Sequence, residues 1–175
     1  CVLLVFGGHE TTMNLIANGT LALINHPHEW SRLQKDPNLI EFAVEELLRF
    51  DGSVKATVRW AKEDVQVGDK ELKKGDRVLV CLSAANRDPQ YFKNPHDLNI
   101  SRDPNPHAAF PHGIHVCLGA PLARIEVQEA ILGLIRRLEI PTLHNKELKY
   151  HPSLVHRALT EFPMSVNSIQ EYISV

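Results

Sequence analysis

The segment FPHGIHVCLGAPLAR, residues 110–124, constrains the fold most, because it fixes the start of a helix and places a cysteine there. Proline lacks a backbone N–H and fits only the first turn of a helix, so Pro121 predicts a helix that begins near Leu118. Cys117 then lies at the N-terminal edge, where the helix dipole favours a thiolate. Gly113 permits a tight turn, and Gly119 lets another group approach the backbone closely.

Four stretches have the apolar spacing of helices: residues 1–27, HEWSRLQKDP, NLIEFAVEELLRF and CLGAPLARIEVQEAILGLIRRLEI. The first contains Gly7 and Gly8, each of which costs about 1 kcal/mol in a helix interior. The expected buried residues are Leu15, Ile16, Leu21 and Ile24 in the first stretch, Leu39, Ile40, Ala43, Val44, Leu47 and Leu48 in the third, and Leu122, Ile125, Ile131, Leu134 and Leu138 in the fourth.

Residues 54–82 have a different pattern. The segments VKATVRWA, EDVQVG, KELKKGD and RVLVCL are short, rich in β-formers and separated by Gly and Asp turns, which predicts a small antiparallel sheet. Residues 84–116 form an unperiodic loop of a length that is usually functional. Residues 141–175 are expected to form short strands and turns. The fold class is therefore mainly α with small antiparallel β sheets.

Composition excludes several classes of function. A net charge of −2 and a pI near 6.6 argue against nucleic acid as a partner. Three scattered cysteines do not form a disulfide scaffold, which favours a reducing, cytoplasmic setting. No apolar run reaches the roughly 20 residues of a membrane span. The chain opens with Cys1 inside an apolar segment, so we expect it to be a fragment of a longer protein.

Three interpretations of Cys117 stay open on the residues alone. It could be a buried structural thiol, which is the commonest state of a free cysteine. It could bind zinc together with His107, His112 and His115, although their spacing lacks the paired ligands of structural zinc sites. It could also be the thiolate ligand of a haem iron.

The pattern Phe110-x-x-Gly113-x-x-x-Cys117-x-Gly119 resembles the haem-ligand signature of the cytochrome P450 family. The fuller run NPHAAFPHGIHVCLGAPLAR resembles the soluble bacterial branch, with His112 standing where that branch usually has a small residue. The resemblance implies that Cys117 is the axial iron ligand of haem b (iron protoporphyrin IX). It also implies that Phe110, Gly113, His115 and Gly119 surround the cofactor.

Two further motifs extend the resemblance to the structural core and the cofactor's charges. Glu46-Leu47-Leu48-Arg49 is by itself a commonplace i, i+3 pair, but it resembles the family's Glu-x-x-Arg motif. With Arg102 it implies a buried structural triad that fixes the loop 84–116. Arg59 matches a residue that pairs with a haem propionate, and His115 matches another; buried propionates need such partners.

The run Gly7-Gly8-His9-Glu10-Thr11-Thr12 resembles the family's oxygen-activation motif. The resemblance implies catalytic roles for Thr11, whose hydroxyl donates a hydrogen bond, and for Glu10, which relays protons. The positions expected to line the substrate pocket are Gly7, Gly8, Ala56, Thr57, Leu154 and Val155.

The resemblance covers the whole chain but only part of the family's fold. It implies one partial domain, residues 1–175, which is the haem-binding C-terminal half of a cytochrome P450 without the N-terminal half. The implied activity is a monooxygenase that inserts one oxygen atom of O₂ into a small, apolar organic substrate. Electrons are expected from a ferredoxin or flavodoxin, since the sequence has no flavin or iron–sulfur motif. The alternative is a truncated or degenerate chain that binds haem poorly and lacks turnover.

Overall fold

The computed structural model describes residues 2–144 and 147–169. Cys1, which begins the first predicted helix, lies outside the described residues, as do positions 145–146 and 170–175 of the predicted C-terminal strands and turns. Within the described part, helices carry most of the regular structure and the strands are short. The predicted class, mainly α with small antiparallel sheets, is confirmed.

The helices follow the predicted order. They are α1 (Val2–Asn25), α2 (Pro27–Lys35), α3 (Ile40–Asp51), α4 (Leu82–Ala85) and α5 (Ala120–Arg137). A 3₁₀ turn, Pro37–Leu39, precedes α3, and another, Gly113–His115, precedes α5. Pro27 does not simply follow α1; it occupies the first position of α2, where its missing N–H costs no hydrogen bond.

The strands form antiparallel pairs. Strand β1 (Ala56–Trp60) pairs with β4 (Arg77–Cys81), and Ala56 faces Cys81 across the pair. Strand β2 (Val65–Val67) pairs with β3 (Lys70–Leu72), and β5 (Thr142–Leu143) pairs with β6 (Met164–Ser165). The region predicted as one small sheet is therefore two two-stranded pairs, the β2–β3 hairpin lying within the connection between β1 and β4.

The core lies where α1, α3 and α5 pack together. Gly19 of α1 permits a close approach to α3, because a Cβ there would lie 3.0 Å from Leu47 Cδ1. The predicted faces of α1 and α3 are largely confirmed. The residues buried there are Leu15, Leu21, Ile24, Ile40, Ala43, Val44, Leu47 and Leu48, while Ile16 and Leu39 are partly buried.

Two predictions about α5 were wrong. The helix begins at Ala120, two residues later than expected, after a turn in which the Ala120 N–H donates to the Cys117 carbonyl at 3.2 Å. Leu122 and Ile125 are 60% and 57% exposed. At 100° per residue they lie roughly 140° and 160° around the helix from Val127. The core side of α5 is instead formed by Val127, Ile131 and Ile135, with Leu134 and Leu138 partly buried.

No helix among the described residues is both long enough and apolar enough to cross a membrane.

We predict that Leu47→Ala lowers the free energy of unfolding by about 2–5 kcal/mol, because it leaves a cavity at the α1–α3 contact. Leu122→Ala, the matched control on the exposed side of α5, is expected to change it by less than about 0.5 kcal/mol. Urea unfolding of both variants measures the difference. Equal losses in the two variants would contradict the assignment of the core.

Candidate functional site

Cys117 lies between the 3₁₀ turn Gly113–His115 and α5. Gly113 has φ +73°, a left-handed conformation that a side chain would strain, and Gly119 is the N-cap of α5. Gly113 thus allows the chain to turn sharply before the cysteine, whereas Gly119, with φ −83°, has a conformation open to other residues. The Cys117 side chain is half-buried in the wall of a cavity.

This cavity has a volume of about 310 Å³ and a predominantly apolar wall. Seven predicted site residues contribute to that wall: Gly7, Thr11, Ala56, Thr57, Phe110, Cys117 and Val155. Prediction had not included Leu15, Leu48, Leu82, Ala109 and Ala123, which also line it. Three larger depressions, of about 510, 730 and 1110 Å³, contain neither Cys117 nor Thr11, so the smaller cavity is the one associated with the motifs.

Other predicted residues lie outside the cavity wall. Gly8 and His115 are exposed, and Glu10 is half-exposed on α1. Leu154 is 78% exposed, whereas its neighbour Val155 lines the cavity. Gly113 and Gly119 shape the backbone around Cys117 and do not line the space. The roles assigned to these residues from the resemblance stay predictions.

Thr11 donates its hydroxyl to the Gly7 carbonyl one turn earlier, at 2.5 Å. This is the local bond by which a threonine often satisfies its hydroxyl within a helix. Because a hydroxyl carries one proton, Thr11 can donate to another group only after leaving this carbonyl, while its oxygen can accept from water meanwhile.

Arg59 is half-buried on β1. Its Nη1 donates to the Thr57 hydroxyl at 2.6 Å and to the Val58 carbonyl at 2.8 Å. Among the described residues it has no carboxylate within ion-pair distance. A half-buried guanidinium of this kind is suited to an anionic partner such as a propionate.

Glu46, Arg49 and Arg102 are brought together as the sequence predicted. The Glu46 carboxylate accepts two bonds from Arg49, at 2.7 and 2.8 Å, and one from Arg102 at 3.0 Å. The side chains of Glu46 and Arg49 are fully buried, and that of Arg102 is 10% exposed. The Asn99 backbone N–H and the Asn105 amide also donate to Glu46.

The resemblance implied that the triad fixes the long loop, and Arg49 does bind this loop directly, through contacts that sequence reasoning did not identify. Its Nη atoms donate to the carbonyls of Asn86, Pro95 and Asp97, at 2.8 to 3.1 Å. Arg102 donates in turn to the Lys93 carbonyl at 2.8 Å. Backbone carbonyls of the loop therefore accept hydrogen bonds from the guanidinium groups of two arginines, where a strand would accept them from the N–H groups of a neighbouring strand.

A second ionic cluster was also missed. Glu45 accepts two hydrogen bonds from Arg124, at 2.6 and 2.9 Å, and one from His107 at 2.9 Å. Burial alone would raise the pKa of Glu45, but the bonds from Arg124 and His107 outweigh it and lower the pKa to about 2. The available signal was the Glu45–Glu46 doublet, since two adjacent carboxylates on a buried helix both need partners.

The donor set fits haem better than zinc. Zinc needs three or four protein ligands, and residues 2–144 and 147–169 contain no group of three or more His, Cys, Asp or Glu arranged around a metal position. A haem iron takes four ligands from its porphyrin, so a single protein side chain is sufficient to bind it. One cysteine in an apolar wall, with the exposed apolar side chains of Ile114, Val116 and Leu118 nearby, suits that arrangement.

Comparison with known sequences gives one family throughout. The sequence model described as Cytochrome P450 matches residues 1–163. The biotin biosynthesis cytochrome P450 of Bacillus subtilis is 46% identical over 165 residues, covering 94% of this chain and 42% of that protein. The vitamin D(3) 25-hydroxylase of Pseudonocardia autotrophica is 44% identical over 168 residues, with coverage of 94% and 42%.

Solved structures agree with the sequences. P450BioI in complex with hexadec-9Z-enoic acid ligated acyl carrier protein superposes with a TM-score of 0.91 at 45% identity, covering 95% of this chain and 44% of that one. The tirandamycin C-bound P450 monooxygenase TamI gives 0.91 at 42% identity, with coverage of 94% and 42%. The chain thus spans somewhat over two-fifths of the length of these relatives.

We predict that Glu46→Ala destabilises the protein by about 3–5 kcal/mol, because it leaves the buried charge of Arg49 without its counter-ion. Glu41→Ala is the matched control, since Glu41 is an exposed glutamate on the same helix. Denaturant unfolding and the yield of folded protein measure both. A Glu46 variant as stable as the Glu41 variant would show that the triad does not support the fold.

Proposed function

Because the chain belongs to the cytochrome P450 family, we propose that it is the C-terminal, haem-binding half of a haem-thiolate monooxygenase. The observation that carries the proposal is the shared cavity. The one cysteine of the ligand motif and the threonine of the α1 motif contribute to the same apolar wall although 106 positions separate them in the sequence. A structural cysteine would not require this juxtaposition.

Cys117 would hold the iron of haem b as its axial ligand. Arg59 and His115 would bind the propionates, and Phe110 would pack beside the macrocycle. When bound, the haem supplies the oxidation itself: with two electrons and two protons, one oxygen atom of O₂ enters the substrate and the other leaves as water. The chain's own residues position the reactants, exclude water and deliver the protons.

Proton delivery would fall to α1. Thr11 lines the cavity and its hydroxyl now donates to the Gly7 carbonyl, so its role requires the hydroxyl to turn away from that carbonyl. Glu10 is the neighbouring residue and is half-exposed, so its carboxylate can exchange protons with solvent. A positioned acid–base group of this kind typically contributes ~10²–10⁴-fold to the rate.

The substrate we propose is a small, apolar organic molecule. Ala56, Thr57 and Val155 add mostly apolar surface to the wall, next to Gly7. The names of the relatives given above refer to chemically different compounds, so sequence similarity to these relatives does not indicate one particular substrate. The proposed electron donor is a ferredoxin or flavodoxin. A cytoplasmic setting is part of the proposal, because Cys81 and Cys117 are free thiols.

We predict that the reduced, carbon monoxide-treated full-length protein shows the family's red-shifted Soret band, and that Cys117→His moves the band to the position typical of a histidine ligand. Cys81→Ala is the control, since Cys81 is an exposed free cysteine outside the cavity wall. It is expected to leave the band unchanged. The 175-residue chain is measured alongside. An unshifted band in the Cys117 variant would refute the ligand assignment.

We predict that Thr11→Ala leaves the absorption spectrum of the full-length protein unchanged and the rate of reductant consumption within a few-fold of wild type. The amount of product formed per reductant is expected to fall, and the amount of hydrogen peroxide is expected to rise correspondingly. The reason is that reduced oxygen escapes when protonation is not directed. Thr20→Ala is the matched control, because Thr20 makes the same bond to the carbonyl four residues earlier, at 2.8 Å, and does not line the cavity.

Glu10→Gln is expected to slow turnover itself, by ~10²-fold or more. Full coupling in the Thr11 variant would mean that α1 does not direct protons. A wild-type protein that binds haem without any turnover would favour the alternative of a degenerate chain.

A further inference from the structure

Glu45 and Glu46 are consecutive residues of α3 whose carboxylates serve different parts of the chain. Glu46 binds Arg49 and the long loop. Glu45 binds Arg124 of α5 and His107, which lies three residues before Phe110 at the start of the cysteine segment. The second cluster therefore joins α3 to both elements that flank Cys117.

The hydrogen bonds define the charges of this cluster. His107 is only 8% exposed, and its Nδ1 accepts the Ala109 backbone N–H at 3.2 Å. An Nδ1 that accepts carries no proton, so Nε2 bears the one that His107 donates to Glu45 and the ring is neutral. The ionic charges of the cluster are then those of Glu45 and Arg124, which offset each other.

Arg124 lies beside the cavity wall that contains Cys117. Its guanidinium stacks over the Phe110 ring at 4.7 Å from the centroid, and Phe110 lines the cavity together with Cys117. Ala123, the preceding residue of α5, lines it too. The hydrogen bond with Glu45 chiefly raises the pKa of Arg124, and its electrostatic interactions with Glu45 and Cys117 raise it further.

We propose that Glu45 is a positioning residue of the thiolate site: it fixes the Arg124 guanidinium over Phe110 and neutralises a positive charge that would otherwise act on Cys117. This inference rests on the proposed function, because it concerns the cysteine as an iron ligand. Positive charge near a ligating thiolate withdraws electron density from the metal and favours the reduced iron. Glu45 thereby keeps the reduction potential low.

The two members of the pair consequently have opposite effects. Glu45→Gln keeps the shape and a hydrogen-bond acceptor but leaves Arg124 uncompensated, so the potential rises. Arg124→Gln leaves Glu45 uncompensated and removes the nearby cation, so the potential falls. The double variant removes both charges and lies between the single variants. A purely structural role would instead make both single variants lose haem and shift in the same direction.

The experiment is spectroelectrochemical titration of the full-length haem protein and its three variants, together with haem content and the carbon monoxide spectrum. Glu45→Gln is expected to lower the ratio of ferric to ferrous iron about tenfold at a fixed solution potential, equal to ~59 mV for one electron. Glu126→Gln is the control, because Glu126 is an exposed carboxylate of α5 two residues after Arg124. It is expected to shift the ratio far less.

Opposite shifts in the single variants with an intermediate double variant support the proposal. Shifts of the same sign, or a Glu126 shift as large as that of Glu45, overturn it while the proposed function stands. If Glu45→Gln loses its haem, Glu45→Asp is measured in its place, because it keeps the negative charge at this position. A reduction potential near that of the wild type then supports the proposal, and a raised potential overturns it. A wild-type protein without the red-shifted band overturns the proposed function, and this inference with it.

Discussion

The buried Glu46 carboxylate is the interaction on which the rest of the structure depends. A charge inside a protein is tolerated only when partners surround it, and two arginines, a backbone N–H and an amide do so here. Because Arg49 also donates to three loop carbonyls, the pair adds to the short-range hydrogen bonds that the loop makes within its own turns. Without this buried charge cluster the segment leading to the cysteine would have no fixed path.

The segment that contains Cys117, residues 107–119, begins within this loop and is held by a second set of contacts. Glu46 contacts the loop as far as Asn105, and from His107 onward the loop is held by Glu45 and by the stacking of Arg124 on Phe110. Two adjacent glutamates of α3 thus have different structural roles. One fixes the approach to the site, and the other connects the site to α5. Because the low pKa of Glu45 keeps its carboxylate ionised, the second cluster stays intact at any pH near neutral.

The site is lined by segments that are far apart in the sequence. The cavity wall takes residues from α1, the end of α3, β1, the cysteine segment and α5, and most of them are apolar. Close packing of α1 on α3, which Gly19 permits, accompanies the placing of Thr11 of α1 and Leu48 of α3 in the same wall.

The resemblance of short motifs to a known family implied the Glu46 triad and the role of the cysteine motif. The sequence by itself determined the element order, because helix periodicity and proline positions are local properties of the chain. It placed the start of α5 two residues early and assigned Leu122 and Ile125 to the core, since several faces of α5 carry apolar residues and periodicity cannot say which one meets α1 and α3. Only the tertiary structure decided that face. It also decided that Glu45, His107 and Arg124 share one cluster: the Glu45–Glu46 doublet indicates that partners are needed, but contacts across 62 and 79 positions depend on how the helices pack.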